Sequence, residues 1–77
     1  MDTIKVIEDK ALAYEQGEMM RDDSEVEIDV FDDEVWLCDY SESREGSEAI
    51  EKLCDIEDIS TDELTSLCDK HNWAYVL

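Results

Sequence analysis

From Glu25 to Tyr40 the chain alternates polar and apolar residues in two successive runs, and this constrains the fold more than any other feature. Glu25-Val26-Glu27-Ile28-Asp29-Val30-Phe31 places a β-branched residue at every second position. Successive strand side chains leave opposite faces, so the pattern predicts a half-buried strand. Asp32-Asp33 predicts the turn, and Glu34-Val35-Trp36-Leu37-Cys38-Asp39-Tyr40 predicts the returning strand. A two-residue loop sets Val30 against Val35 and Ile28 against Leu37, a single register with one apolar face.

Helical periods flank the hairpin. Ile4, Ile7, Ala11 and Tyr14 recur three and four apart across residues 3–15, a stripe that predicts a helix ended by Gly17. Ser47 is placed to cap a second helix, with Ala49, Ile50, Leu53 and Cys54 inward and Glu48, Glu51 and Asp55 outward. Ser60-Thr61-Asp62-Glu63 matches a capping box. The helix after it is expected to bury Leu64, Leu67 and Cys68 and to end near His71-Asn72. Trp73 to Leu77 predicts a third strand beside the hairpin. The expected fold class is α+β: an N-terminal helix, an antiparallel hairpin, two helices and a C-terminal strand. The helices should lie on one face of a small sheet, within one domain spanning 1–77. An apolar fraction of 43% supports a folded chain despite its charge.

That charge is -18, from 24 acids against 6 bases. It disfavours direct nucleic-acid binding and binding to anionic lipid, and it favours basic partner surfaces. No apolar run approaches a membrane span and no basic-then-apolar leader opens the chain; the cytoplasmic location expected for the protein rests on its cysteines. Cys38, Cys54 and Cys68 lack the close spacing of a zinc site and the even count of a disulfide framework. They read as reduced, mostly buried small hydrophobes.

The acids are unevenly placed. Ten lie between Asp22 and Glu42 (Asp22, Asp23, Glu25, Glu27, Asp29, Asp32, Asp33, Glu34, Asp39, Glu42), with no Lys or Arg among them. Glu25, Glu27 and Asp29 share the strand face opposite Val26, Ile28 and Val30, about 6.5–7 Å apart along it. That spacing is comparable to successive phosphates, and Asp32-Asp33-Glu34 extends the row past the turn. A second stretch, Glu45 to Glu63, holds Glu48, Glu51, Asp55 and Asp58 three and four apart, an exposed helical edge relieved only by Lys52. Like charges at such spacing repel, so local stability does not account for them. Residues 1–21 are close to mixed, with five acids and three bases. Trp36, Cys38 and Tyr40 lie opposite Val35 and Leu37. Trp36 and Tyr40 would be apolar anchors if exposed among the acids.

Other chemistries find little support. Asp29 to Glu34 lacks the alternate ligands and glycine of a calcium loop, and Cys68 with His71 supplies only two zinc ligands. No metal or other cofactor is expected. No phosphate loop, nucleophile motif or differentiated carboxylate pair is visible, so no enzyme is expected either. Asp23-Ser24-Glu25 departs from the Asp-Ser-Leu of acyl carriers, and a strand pattern follows it where those carriers need a helix.

In size, charge and its acidic rows at 22–42 and 45–63, the chain resembles the small acidic inhibitors that phages and mobile elements encode against host defence systems. Anti-CRISPR proteins and anti-restriction DNA mimics are of this type. The resemblance implies a partner with a Lys/Arg-lined nucleic-acid channel, such as a CRISPR effector subunit or a restriction enzyme, plugged by the acidic face. The expected partner-binding residues are Asp22, Asp23, Glu25, Glu27, Asp29, Asp32, Asp33, Glu34, Glu48, Glu51 and Asp55, on a monomer. Two alternatives stay open: an adaptor or antitoxin-like module on a basic partner, and an ordinary domain adapted to high salt.

Overall fold

A computed structural model describes residues 2–18, 26–39 and 48–77. The protein is α+β, and the described residues form two α-helices and a four-stranded mixed sheet. Helix α1 (Thr3–Ala13) starts at Asp2, whose carboxylate accepts from the Ile4 N–H at 3.1 Å. It buries Ile7 and Ala11 and continues as a π-helical turn, Tyr14–Glu18. Gly17 thus falls inside that turn rather than beyond the helix.

Strands β1 (Val26–Phe31) and β2 (Glu34–Asp39) form the expected hairpin, with Ile28 opposite Leu37 and Val30 opposite Val35. Asp32 and Asp33 both have positive φ, 53° and 59°. Two such residues in a two-residue loop give a turn whose twist matches that of the strands. Asp tolerates this conformation better than most residues, since its short side chain can bond locally.

Residues 48–55 are a strand, not the helix their spacing suggests. Strand β3 (Glu48–Asp55) pairs antiparallel with β2, and its eight residues face six because the register shifts twice. Leu53 and Ile50 are the supernumerary residues of two β-bulges. Each bulge lengthens the apolar period from two to three, so Ile50, Leu53 and Cys54 imitate a helical stripe. Ser47, the expected cap, lies outside the described residues. The strand leads through a 3-10 turn, Ile56–Asp58, to helix α2 (Thr61–His71). Here the capping box is present: Glu63 N–H donates to Ser60 Oγ at 3.1 Å, and Ser60 N–H to Glu63 Oε1 at 3.4 Å. Asn72 closes the helix in the left-handed region at φ 60°.

Strand β4 (Ala74–Val76) pairs in parallel with β1, making the sheet order β3-β2-β1-β4. That pairing turns β1 into an interior strand. One core joins both helices to one sheet face: Ile7, Ala11 and Tyr14 meet Val26, Ile28, Val35, Leu37 and Leu53, with Leu64, Leu67, Cys68, Ile59 and Trp73. Each fully buried aliphatic side chain contributes about 1.5–3 kcal/mol. Among the described residues no helix is long and apolar enough to cross a membrane.

Candidate functional site

The helix-free face of the sheet is where the expected acidic row should stand, and the structure changes its character. Glu27 lies between Cys38 of β2 and Ala74 of β4, and Asp29 between Trp36 and Val76. Both acids are half-buried and Asp29 Oδ1 is shut off from solvent, so they are not a raised row of anionic oxygens. β4 gives β1 a neighbour on its second side. Asp22, Asp23, Glu25 and Tyr40 lie outside the described residues.

The second expected row is divided between the two sheet faces. Glu48 and Glu51 pair with Asp39 and Leu37 on the helix side, and Glu51 reaches Lys10 of α1. Asp55 pairs with Glu34 on the other side. No common edge of Glu48, Glu51, Asp55 and Asp58 exists, because the bulged strand replaces the helix that would have aligned them. Asp39, one of the ten acids between Asp22 and Glu42, is only 6% exposed and accepts a hydrogen bond from the Tyr14 hydroxyl at 2.6 Å. The sequence does carry a signal for this: Asp39 shares its parity with Val35 and Leu37, the inward residues of β2.

Exposed negative charge gathers instead at the hairpin tip. Asp32, Asp33, Glu34, Asp55 and Glu57 line one concavity with Ile56. The Asp33 carbonyl accepts the Ile56 N–H at 2.9 Å, tying the tip to the turn after β3. Lys52 bridges Glu34 at 3.1 Å and Asp55 at 2.8 Å. Hydrogen bonds from Trp36 Nε1 (3.0 Å) and then Lys52 hold the Glu34 carboxyl below its ordinary pKa. Asp55, then Glu34, raise that of Lys52. Asp32, Asp33, Glu57 and Asp58 are exposed and join no ion pair among the described residues.

The other described lysines are already engaged: Lys5 with Asp9 at 2.8 Å, Lys10 with Glu51, and Lys70 with Glu8 at 3.1 Å. Exposed pairs of this kind add little stability. They do mean that no described lysine is left over to neutralise the tip.

Beside the concavity stands an aromatic pair. Phe31 and Trp36 stack with ring centroids 5.5 Å apart and planes 20° from parallel. Phe31 is 42% exposed and Trp36 half-buried, so the expected anchor Trp36 stands at the surface stacked on Phe31, which is not among the expected anchors. Strand parity again holds the signal, since Phe31 continues the face of Glu27 and Asp29. Val76, 53% exposed, lies diagonally across on that face.

The remaining candidates of chemistry are dispersed. Among the described residues no group of His, Cys, Asp and Glu is arranged to hold a metal ion. Cys68 is in the core, whereas the His71 ring stacks on Trp73 at 4.5 Å and its Nε2 lies 2.6 Å from Glu8 Oε2. Burial, then the charge of Asp69, pushes the Cys68 thiol up to about 11. Burial, then Asp58 and Asp55, raises that of Cys54. Both stay protonated at neutral pH and are poor nucleophiles. Comparison with protein families, with curated proteins and with solved structures gives no match.

Proposed function

We propose that this chain is an acidic binding protein that occupies the basic nucleic-acid-binding surface of a partner and keeps nucleic acid off it, as DNA-mimic inhibitors do. The observation that carries this reading is the hairpin tip, where Asp32, Asp33 and Glu57 hold exposed charge that the described lysines do not neutralise. Asp32 and Asp33 form a two-residue hairpin loop that a backbone hydrogen bond ties to the turn carrying Glu57, so little conformational entropy is lost when they are engaged. A surface that binds nucleic acid gains affinity by neutralising phosphates with Lys and Arg. Carboxylates fixed in place compete for the same cations, and a net charge of -18 steers the approach. The partner class that fits is a nucleic-acid-binding defence component such as a CRISPR effector subunit or restriction enzyme. The working contact is the tip rather than a row along β1.

The test is competition. Proteins captured from a bacterial lysate on the immobilised chain are eluted on a salt ladder, and each is loaded with labelled duplex DNA. Addition of the chain should release the duplex, less effectively as salt rises, and Asp32→Asn/Asp33→Asn/Glu57→Gln should release it poorly. Simultaneous binding of chain and duplex would make the protein an adaptor and overturn the proposal. Undiminished release by the triple variant would overturn the role given to the tip.

A further inference from the structure

The helix-free sheet face offers more than charge. Phe31, Glu34, Trp36 and Val76 project from it close together, since Phe31 pairs with Glu34, Trp36 with Asp29, and Asp29 with Val76. Its two aromatics are stacked within 20° of parallel and partly exposed, and among the described residues neither helix packs over them. A chain of 77 residues has few apolar groups to spare for solvent, and exposed apolar clusters rimmed by polar groups mark interaction sites. Glu34 joins the two halves of the surface: it binds the Trp36 indole N–H and lines the acidic concavity with Asp32 and Asp33.

We infer that this face receives an arginine side chain of a protein partner, its guanidinium stacked on the Phe31–Trp36 pair and its N–H groups directed to the carboxylates of the tip. The inference rests on the function proposed above and names the partner's contact chemistry. Guanidinium is planar, weakly hydrated and able to stack on an aromatic face while donating to carboxylates in the ring plane. A lysine ammonium is a compact, strongly hydrated point charge that gains less from a stacked aromatic pair. Arg and aromatic residues also dominate the energy of protein interfaces. A second copy of this chain is a poor occupant, because two molecules each carrying -18 repel. Nucleic acid and anionic lipid are disfavoured by the same charge.

The probes are two peptides of equal length and charge, an Arg-Gly repeat and a Lys-Gly repeat, titrated into the intact chain at one salt concentration. The chain has two tryptophans, so the two indole N–H resonances report separately, Trp36 at the surface and Trp73 in the core. The Arg-Gly peptide should bind about threefold or more tighter than Lys-Gly, the range of one exposed cation–π contact. It should shift the Trp36 indole signal and leave that of Trp73 in place. Phe31→Leu, which keeps an apolar group but loses the ring, should bring the ratio close to one. Asp32→Asn/Asp33→Asn should weaken both peptides and preserve the ratio. Phe31→Ala serves as a second variant, with its fold checked by the unmoved Trp73 signal.

Equal affinity for the two peptides, an unmoved Trp36 signal, or a ratio unchanged in both Phe31 variants overturns the inference. A wild-type dimer in sedimentation that Phe31→Ala converts to monomer also overturns it, by making a second copy the occupant. The two proposals fail separately. Arginine preference without displacement of duplex DNA sinks the inhibitor reading alone, and displacement without arginine preference sinks this one alone.

Discussion

The hairpin tip should be less stable than its neighbours allow, and replacing Asp32-Asp33 by Asn-Gly should stabilise the fold while weakening partner binding. Both residues are left-handed, at φ 53° and 59°. That conformation costs an L-residue about 1–2 kcal/mol, somewhat less for Asp or Asn, and nothing for Gly. Gly at the second position returns about 0.5–1 kcal/mol of this through the larger entropy of its unfolded chain. Removing two adjacent negative charges beside Glu34 adds a few tenths of a kcal/mol. The net gain is about 1 kcal/mol. In a domain of this size 1 kcal/mol moves Tm by about 4–8 °C, so a rise of that order is expected. Thermal melts by circular dichroism, with urea titrations in parallel, measure it. Asp32→Asn/Asp33→Asn separates charge from backbone: it relieves repulsion but keeps both left-handed residues, and should rise by less. A melt of Asp32→Asn/Asp33→Gly no higher than that control refutes the turn argument. Unchanged displacement of duplex DNA in both refutes the functional one.

Four further expectations concern other parts of the chain. Ser60→Ala removes the cap of α2 and should cost about 1 kcal/mol in urea denaturation; no loss would mean the capping box is dispensable. Tyr14→Phe deletes the 2.6 Å hydrogen bond to the buried Asp39 carboxylate and should cost about 2 kcal/mol, read from the same titration. Hydrogen bonds from His71 and then Lys70 hold Glu8 below its ordinary pKa of 4.5, so its stabilisation is present above that value and lost as pH falls through the lower folded value. Glu8→Gln should therefore flatten the acid limb of stability against pH, and an unchanged limb would exclude that clasp. Raising salt from about 10 mM to about 1 M shortens the Debye length from ~30 to ~3 Å and should raise Tm, because it screens self-repulsion; complete unfolding at the low-salt end would instead favour a domain adapted to high salt.

How much of this could be read from the sequence depends on the range of the interaction concerned. The hairpin was legible to the register, because Ile28 with Leu37 and Val30 with Val35 follow from a two-residue loop and a period of two. The α2 cap was legible because Ser60 and Glu63 satisfy each other within one turn. β3 was not, because its bulges at Ile50 and Leu53 imposed a helical spacing on a strand whose partner, β2, lies on the far side of residues 40–47 in the chain. A bulge is a response to the neighbouring strand, so its residues look ordinary until that neighbour is known. The candidate site divides the same way: local pattern marks Asp32, Asp33 and Trp36, whereas the role of Phe31 depends on its cross-strand stacking on Trp36.

The sequence by itself determined that the chain is acidic, that it carries a hairpin with an Asp-Asp turn, and that helices bury one face of it. Local sterics, side-chain alternation and counted charge suffice for each of these. Only the tertiary structure decided which acids are surface charge. The parallel pairing of β4 with β1 set Glu27 and Asp29 between neighbouring strands, and the π-helical turn after α1 brought the Tyr14 hydroxyl to Asp39. A carboxylate's exposure depends on the segments folded beside it, and those segments come from remote positions in the chain. Asp32 and Asp33 stay exposed and join no ion pair among the described residues, because a tight turn has no neighbouring strand to cover it.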